Sequence, residues 1–318
     1  LNVTKVPKLI IFEKYLCFKI NNKVVKEKIP TYGICNLVDD DHSFQDILVY
    51  DLPDFISTHQ DLVFPHRHSF YQVMYVVEGG GRHIIDFETY PVKAGSLYCM
   101  APGQVHTWLF DGHFKGYLIN FNESFFTSFL LNSRYLADFP FFSGNSKYGV
   151  YHLPLEISRA VMPYFEVLFR EQQENKLHKN DVMRTTVLQL CLCISRRFAL
   201  EFTPNGNANS YNILRNFEKL IEQNYLRMKL PKEYAGLLFI TPNHLNAVCK
   251  QAVGKSAGEM IRDRVLLEAK RSLVNSTESI SEIAYKLNFE DNSYFTKFFK
   301  KYAIITPEEF RKTVQVNR

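Results

Sequence analysis

At 318 residues, with 46% hydrophobic and 22% charged side chains, the chain can hold two domains with their own cores and has the make-up of a soluble globular protein. Its apolar stretches fall far short of a membrane span, and six scattered cysteines without a CxxC pair imply neither a disulfide framework nor a zinc ribbon, which suits a reducing, cytoplasmic compartment and no membrane partner. The net charge of +5 is unevenly placed: from Gly206 onward 18 Lys and Arg face 12 Asp and Glu, so a polyanion partner is expected for the last third alone.

Residues 1–29 lack a small-residue cleavage site, so no secretory signal is read there, and they stand as an N-terminal extension. From 30 to 153 the texture is strand-like. Phe70–Val77, His83–Phe87, Ser96–Met100 and Gly116–Phe121 are separated by the expected turns Gly79-Gly80-Gly81, Pro91–Gly95, Ala101-Pro102-Gly103 and Asp111-Gly112. Short strands at this spacing predict an all-β sandwich or barrel. Over 154–202 the period becomes helical, with one stripe of Ile157, Val161, Tyr164, Phe165 and Leu168 and another of Val182, Val187, Leu190 and Ile194. These helices are expected to connect or to dimerise, packing on the barrel or on a second subunit. The breaker-rich stretch 203–210 reads as a linker, and 211–318 as short helices.

Two segments of the last third share one grammar. In the first, Pro231–Phe239 is a short helix, Thr241 an N-cap with Pro242 at the first helical position, and Pro242–Ala252 a second helix with Leu245, Val248 and Cys249 inward. In the other, Ile280–Leu287 is followed by Asn288, a residue that tolerates a left-handed turn, and then by a helix with Phe295, Phe298, Phe299 and Tyr302 inward. A longer helix, Ser256–Val274, lies between them. Short helix, tight turn and polar second helix are the helix-turn-helix format.

Together these residues resemble the AraC/XylS family of transcription regulators. The resemblance rests on Thr241-Pro242-Asn243-His244-Leu245, Arg264-Val265-Leu266-Leu267-Glu268-Ala269-Lys270, Ile280–Phe289, Ser293-Tyr294-Phe295 and Thr306-Pro307-Glu308-Glu309-Phe310-Arg311. It implies two reader helices in successive major grooves, held by the intervening helix. Asn243, His244 and Asn246 are then the base-edge candidates of the first unit, and Asn292, Ser293, Thr296 and Lys297 those of the second. Lys250, Lys300 and Lys301 fall to phosphates. Three departures stand out: Ala247 replaces a long basic residue, and Asn288 and Ile304 replace glycines. A β-branched Ile304 would be strained in a left-handed turn, so a rearranged final turn is expected.

In the N-terminal half, Phe64-Pro65-His66-Arg67-His68 with Gln72, followed by Pro102-Gly103-Gln104-Val105-His106, resembles the two cupin motifs, which implies a double-stranded β-helix barrel. His66, His68 and His106 match metal-ligand positions of metal-dependent cupins, but Gln72 stands where those place Glu. A neutral amide is a poorer ligand for a divalent cation, so no cofactor is expected. Three readings stay open: a metal-dependent enzyme with an accessory DNA-binding domain, a histidine cluster lining an effector pocket, and structural histidines. Tyr71, Tyr75, Arg82, Tyr98 and Trp108 are further pocket candidates, with a carbohydrate as the first effector class considered. The whole reads as a non-enzymatic, effector-controlled DNA-binding regulator, a homodimer with RNA polymerase as a further partner. A constitutive DNA binder whose barrel only dimerises is the blander alternative.

Overall fold

The computed structural model describes residues 29–38, 45–127, 129–130, 135–174, 176–201 and 208–316. The N-terminal extension, apart from Ile29, and 203–207 of the expected linker lie outside the described residues. The chain divides into two compact units, one of them Pro30–Glu201 and the other containing everything from Phe202 onward.

The N-terminal unit is an antiparallel, cupin-like sheet domain. Its strands are β1 (Thr31–Tyr32), β2 (Ile47–Asp51), β3 (Arg67–His68), β4 (Tyr71–Ile85), β5 (Glu88–Lys93), β6 (Ser96–Met100), β7 (His106–Phe121) and β8 (Val150–His152). The main sheet runs β2-β7-β4-β6-β8 with β5 joined to β4, and β1 pairs in parallel with β3. β4 and β7 lie side by side from Tyr71 opposite Phe121 to Ile85 opposite His106.

That long pairing corrects two expected turns. Gly79-Gly80-Gly81 and Asp111-Gly112 sit inside the paired strands, where register shifts between Val76 and Gly80 mark bulges. Gly81 has φ +141°, and a Cβ there would meet the Leu109 carbonyl oxygen at 2.1 Å. Glycine therefore bends the strand pair without breaking it. The hairpin turn falls instead at Asp86 and Phe87, with φ of +48° and +73°.

Alternation along the strands separates two faces. Met74, Val76, Tyr98, Met100, Trp108 and Leu118 pack into one enclosed core. On the opposite face Tyr75 and Tyr117 stack on Phe165 at centroid distances of 5.1 and 5.9 Å. Among the helices, α1 (Leu52–Thr58), α2 (Ser124–Thr127) and α3 (Ser146–Gly149) are short, while α4 (Leu155–Gln173) carries Phe165 onto the sheet and α5 (Lys179–Glu201) packs on α4. Val161, Phe165 and Leu168 of α4, and Val187, Leu190 and Ile194 of α5, are buried within the protomer. The stripes on which self-association was expected are thus largely consumed inside one chain; Val182, 36% exposed, is an exception.

Among the described residues the C-terminal unit is all helical: α6 (Ala208–Asn224), α7 (Pro231–Leu237), α8 (Pro242–Val253), α9 (Ala257–Asn275), α10 (Ile280–Lys286), α11 (Asn292–Ala303) and α12 (Pro307–Val316). Residues 208–210, expected as linker, already belong to α6. Both helix-turn-helix units close in the same way. The amide of Ile240 donates to the Ala235 carbonyl at 3.0 Å, and that of Phe289 to the Ala284 carbonyl at 3.0 Å. Phe239 and Asn288 supply the positive φ, +55° and +57°. These six-to-one hydrogen bonds are the Schellman closure of a short helix. The expected rearrangement after α11 does not occur. Ile304 takes the left-handed cap with φ +75°, as Gly254 does after α8 with φ +72°.

Candidate functional site

The second helix of each helix-turn-helix unit, α8 and α11, begins with a side-chain cap. Thr241 Oγ1 accepts from the His244 amide at 3.2 Å, and Asp291 Oδ1 from the Tyr294 amide at 2.7 Å. Leu245, Val248 and Cys249 in α8, and Phe295 and Phe299 in α11, point into the core. Phe298 is only half-buried and Tyr302 is 37% exposed, so the expected four-residue inward face of α11 narrows to two. On the opposite faces Asn243, His244 and Lys250 are exposed on α8, as are Asn292, Ser293, Lys297, Lys300 and Lys301 on α11. Thr296 is half-buried, and its hydroxyl donates to Asn292 Oδ1 at 3.5 Å. Tyr294, 61% exposed, also lies on the outer face of α11. The sequence pattern does not single it out, because an aromatic among inward phenylalanines reads as core.

Asn246 is a correction. It is half-buried, and its Oδ1 accepts the Ala257 amide at 2.9 Å, so it caps the first turn of α9 instead of standing free for a base. Ser256 and Glu259 complete that start as a capping box. Further along α9, Arg264 pairs with Glu222 and Glu268 and lies 3.9 Å over the Tyr225 ring. Arg262 sits 5.2 Å over the Tyr302 ring of α11. α9 is therefore tied to both α8 and α11.

In the N-terminal unit, His66, His68, His83 and His106 meet beneath Trp108, all buried. His66 Nδ1 faces the Phe64 carbonyl at 2.8 Å and His68 Nδ1 the Phe70 carbonyl at 3.0 Å. Donation to those carbonyls leaves each Nε2 as a lone-pair donor. His106 Nδ1 lies 3.0 Å from His83 Nε2, while His106 Nε2 and His68 Nε2 are buried without a protein hydrogen-bond partner. One ring nitrogen from each of His66, His68 and His106 falls within 4.8 Å of the others. Burial holds the imidazoles neutral, with His66 lowered to about 4, His68 and His83 to about 3, and His106 well below its ordinary range.

This set fits a divalent metal: neutral imidazoles converge through nitrogens whose ring partners are held by the protein. Gln72 is present as expected, also buried. Its Nε2 donates to Asn120 Oδ1 at 2.9 Å, and its Oε1 has no protein partner. Three other pocket candidates are not in this chamber. Tyr75 points to the opposite face, onto α4, because it is one residue out of phase with Gln72 and Met74. Arg82 is exposed. Tyr71 likewise stacks outward on Phe121 at 5.6 Å, whereas Tyr98 faces inward, 4.6 Å from His83.

Beside the chamber lies a cleft of about 370 Å³ whose lining includes Tyr32, Asn36, Ser57, Thr58, His59 and Gln60. Tyr32 meets His66 edge-on at 5.7 Å, so the cleft and the chamber share a wall. None of the six is a motif residue. They are gathered from a strand, two 3₁₀ turns and the end of α1, and only the fold brings them together.

Residues 55–190 match the family model of an AraC-like ligand binding domain, and residues 234–313 that of a helix-turn-helix domain. The chain is 22% identical over 262 residues to the HTH-type transcriptional activator RhaR of Yersinia pseudotuberculosis serotype O:3 (strain YPIII), a match covering 80% of this chain and 86% of that one. It is 21% identical over 259 residues to RhaR of Mannheimia succiniciproducens, covering 80% and 89%. Among solved structures, ToxT from Vibrio cholerae aligns over 84% of this chain and 97% of its own at 13% identity, with a TM-score of 0.39.

Proposed function

Since the chain belongs to the AraC/XylS family of transcription regulators, with a ligand-binding unit and a helix-turn-helix DNA-binding unit, we propose that α8 and α11 are its two DNA readers and that a small molecule bound at the N-terminal unit controls them. The observation that carries the reading is the pair of capped helices, each with an exposed polar face and both tied to α9. Asn243, His244, Asn292, Ser293 and Lys297 are the base-edge contacts of this proposal, with Thr296 and Tyr294 beside them. Lys250, Lys300 and Lys301 neutralise phosphates. Selection of bound sequences from random duplexes tests it. Two blocks of fixed spacing are expected, and a pool without enrichment overturns it.

For the effector we propose a carbohydrate in the cleft beside Tyr32. A single aromatic face with amide, hydroxyl and imidazole groups around it suits a polyol, and about 370 Å³ is within the range of small-molecule sites. A sugar panel read by thermal shift is expected to yield a hit that Tyr32→Ala abolishes. A hit unaffected by that change moves the site elsewhere. Control of DNA binding requires the ligand to distinguish two arrangements of the protein. Action on chromosomal DNA places the protein in the cytoplasm. Self-association and contact with RNA polymerase complete the proposal, and sedimentation and polymerase pull-down are their tests.

A second reading of the N-terminal unit is favoured by the unpartnered Nε2 atoms. His66, His68 and His106 would hold a divalent metal, which supplies Lewis acidity and an anchor for an oxygen ligand. His106 serves as a donor only in the tautomer whose Nδ1–H donates to His83 Nε2, so His83 selects that tautomer. Turnover of a substrate by the metal-loaded protein would extend this reading to an enzyme.

A further inference from the structure

The loop between α6 and α7 reaches the other helix-turn-helix unit through the side chain of Lys229. Lys229 Nζ donates to the Leu287 carbonyl and to the Asn288 carbonyl, both at 2.7 Å, and lies 3.8 Å over the Phe289 ring. These acceptors are the last carbonyls of α10 and its left-handed turn, where a helix leaves oxygens without internal partners and carries its partial negative charge. The contact spans 58 to 59 residues of chain.

The other end of Lys229 is equally fixed. Its amide donates to Glu233 Oε2 at 3.1 Å, the Leu230 amide donates to the same oxygen at 2.8 Å, and the Tyr234 hydroxyl donates to the Met228 carbonyl at 2.8 Å. Glu233 and Tyr234 lie in α7, the first helix of the N-terminal reader's unit. Lys229 thus stands between the start of one unit's first helix and the end of the other's. Burial lowers its ammonium to about 8, which accords with a group taken from solvent to make this contact.

α9 packs on α10, α11 and α12 and holds Tyr302 through Arg262, so these side-chain contacts, and not a continuous helix, set the angle of the second unit. After Asn275 the chain runs through Ser276–Ser279 without regular structure before α10 begins, so the backbone here is a hinge whose angle is left to side-chain contacts. We infer that Lys229 is a positioning residue, a brace that closes this hinge and so sets the spacing of DNA blocks that the two readers accept together. The inference rests on the two-reader proposal above, and its test has one arm that does not involve DNA.

In that arm, spin labels carried by unnatural amino acids at Gln251 and Lys301, the exposed ends of α8 and α11, report the inter-reader distance in the full chain. A narrow distribution is expected for the wild type, a broader one for Lys229→Met, and recovery for Lys229→Arg, which keeps a charged donor for the carbonyls. In the second arm, duplexes selected by the wild type receive one extra base pair between the two blocks. The wild type is expected to lose on the order of tenfold in affinity and Lys229→Met less than about threefold, so the variant's preference flattens. A merely structural role would weaken both duplexes equally and leave the preference intact. An unchanged distance distribution in Lys229→Met overturns the brace. Selected DNA with only one block overturns the two-reader proposal instead, and the distance arm still decides the brace. Should Lys229→Met fail to fold, Glu233→Gln, which weakens the anchor of the Lys229 backbone, is expected to broaden the same distribution, and an unchanged width there overturns the inference.

Discussion

The side-chain oxygen of Asn246 accepts the amide hydrogen of Ala257 at 2.9 Å, so the first reader helix caps the helix that carries its twin. At the matching place in the second unit stand Thr296 and Pro307, fifty residues on. Proline has no amide hydrogen, and its helix start needs no such cap. We expect Asn246→Ala to cost about 1 kcal/mol of stability, as for the loss of a helix cap, measured by denaturant unfolding. Base preference at the selected site should be unchanged. Relaxed preference at one base pair, with stability intact, would return Asn246 to the reading face.

Ile304 offers the opposite sign. It occupies a left-handed cap while 80% exposed, so it carries β-branched strain and buries little. Ile304→Gly is expected to stabilise the C-terminal unit by about 1 kcal/mol and to raise its thermal midpoint by several degrees. Gly254→Ile, at the equivalent cap, should lose a similar amount. A destabilised Ile304→Gly would mean that this side chain makes a contact its exposure conceals.

Contacts with bases and with phosphates separate by their response to salt. Lys297→Ala and Asn292→Ala should each cost about 1–3 kcal/mol at the selected site and little on random duplex. Lys300→Ala should weaken both kinds of DNA alike and reduce the salt slope by about one unit. Equal losses on both duplexes for Lys297→Ala would make it a phosphate contact.

The histidine chamber predicts acid sensitivity. In the unfolded chain these imidazoles take up protons from about pH 6.5 downward, whereas in the fold His66 waits until about 4 and His68 and His83 until about 3. Stability is full above pH 6.5 and falls as pH drops, by about 1.4 kcal/mol per pH unit for each imidazole that stays neutral in the fold. The midpoint of the metal-free N-terminal unit should fall by several degrees between pH 7 and 5.5. A flat profile would show that the chamber already holds a charge.

Metal addition reads the same chamber from the other side. If His66, His68 and His106 act together, zinc or nickel should raise the midpoint at neutral pH, a chelator should reverse the rise, and His68→Ala should abolish it. His83→Phe should reduce it without removing a ligand, since it releases the His106 tautomer. A shift that survives His68→Ala would locate the metal elsewhere.

Much of this was legible beforehand because caps and turns are local. Thr241, Pro242, Asn288 and the polar faces of α8 and α11 declare themselves within a few residues. The four-residue inward face of α11 was too broad a reading, since Tyr302 proves to be a platform for Arg262. What pairing decides was not legible. Gly79–Gly81 reads as a turn until β7 is seen running alongside it, and Tyr75 reads as a pocket residue until strand phase puts it on α4. His83 lies outside both cupin-like motifs, and the cleft residues Tyr32 and His59 are 27 positions apart, so no window of sequence joins them.

The two reading faces differ in ammonium count: Lys297, Lys300 and Lys301 on α11, against Lys250 alone on α8. Long-range attraction to a polyanion acts before any hydrogen bond can form, so on the two-reader proposal capture is lopsided and a passing duplex is expected to meet α11 first. α8 would then arrive as the more nearly neutral, proofreading hand, and mismatches beneath it should shorten residence on DNA more than they slow arrival.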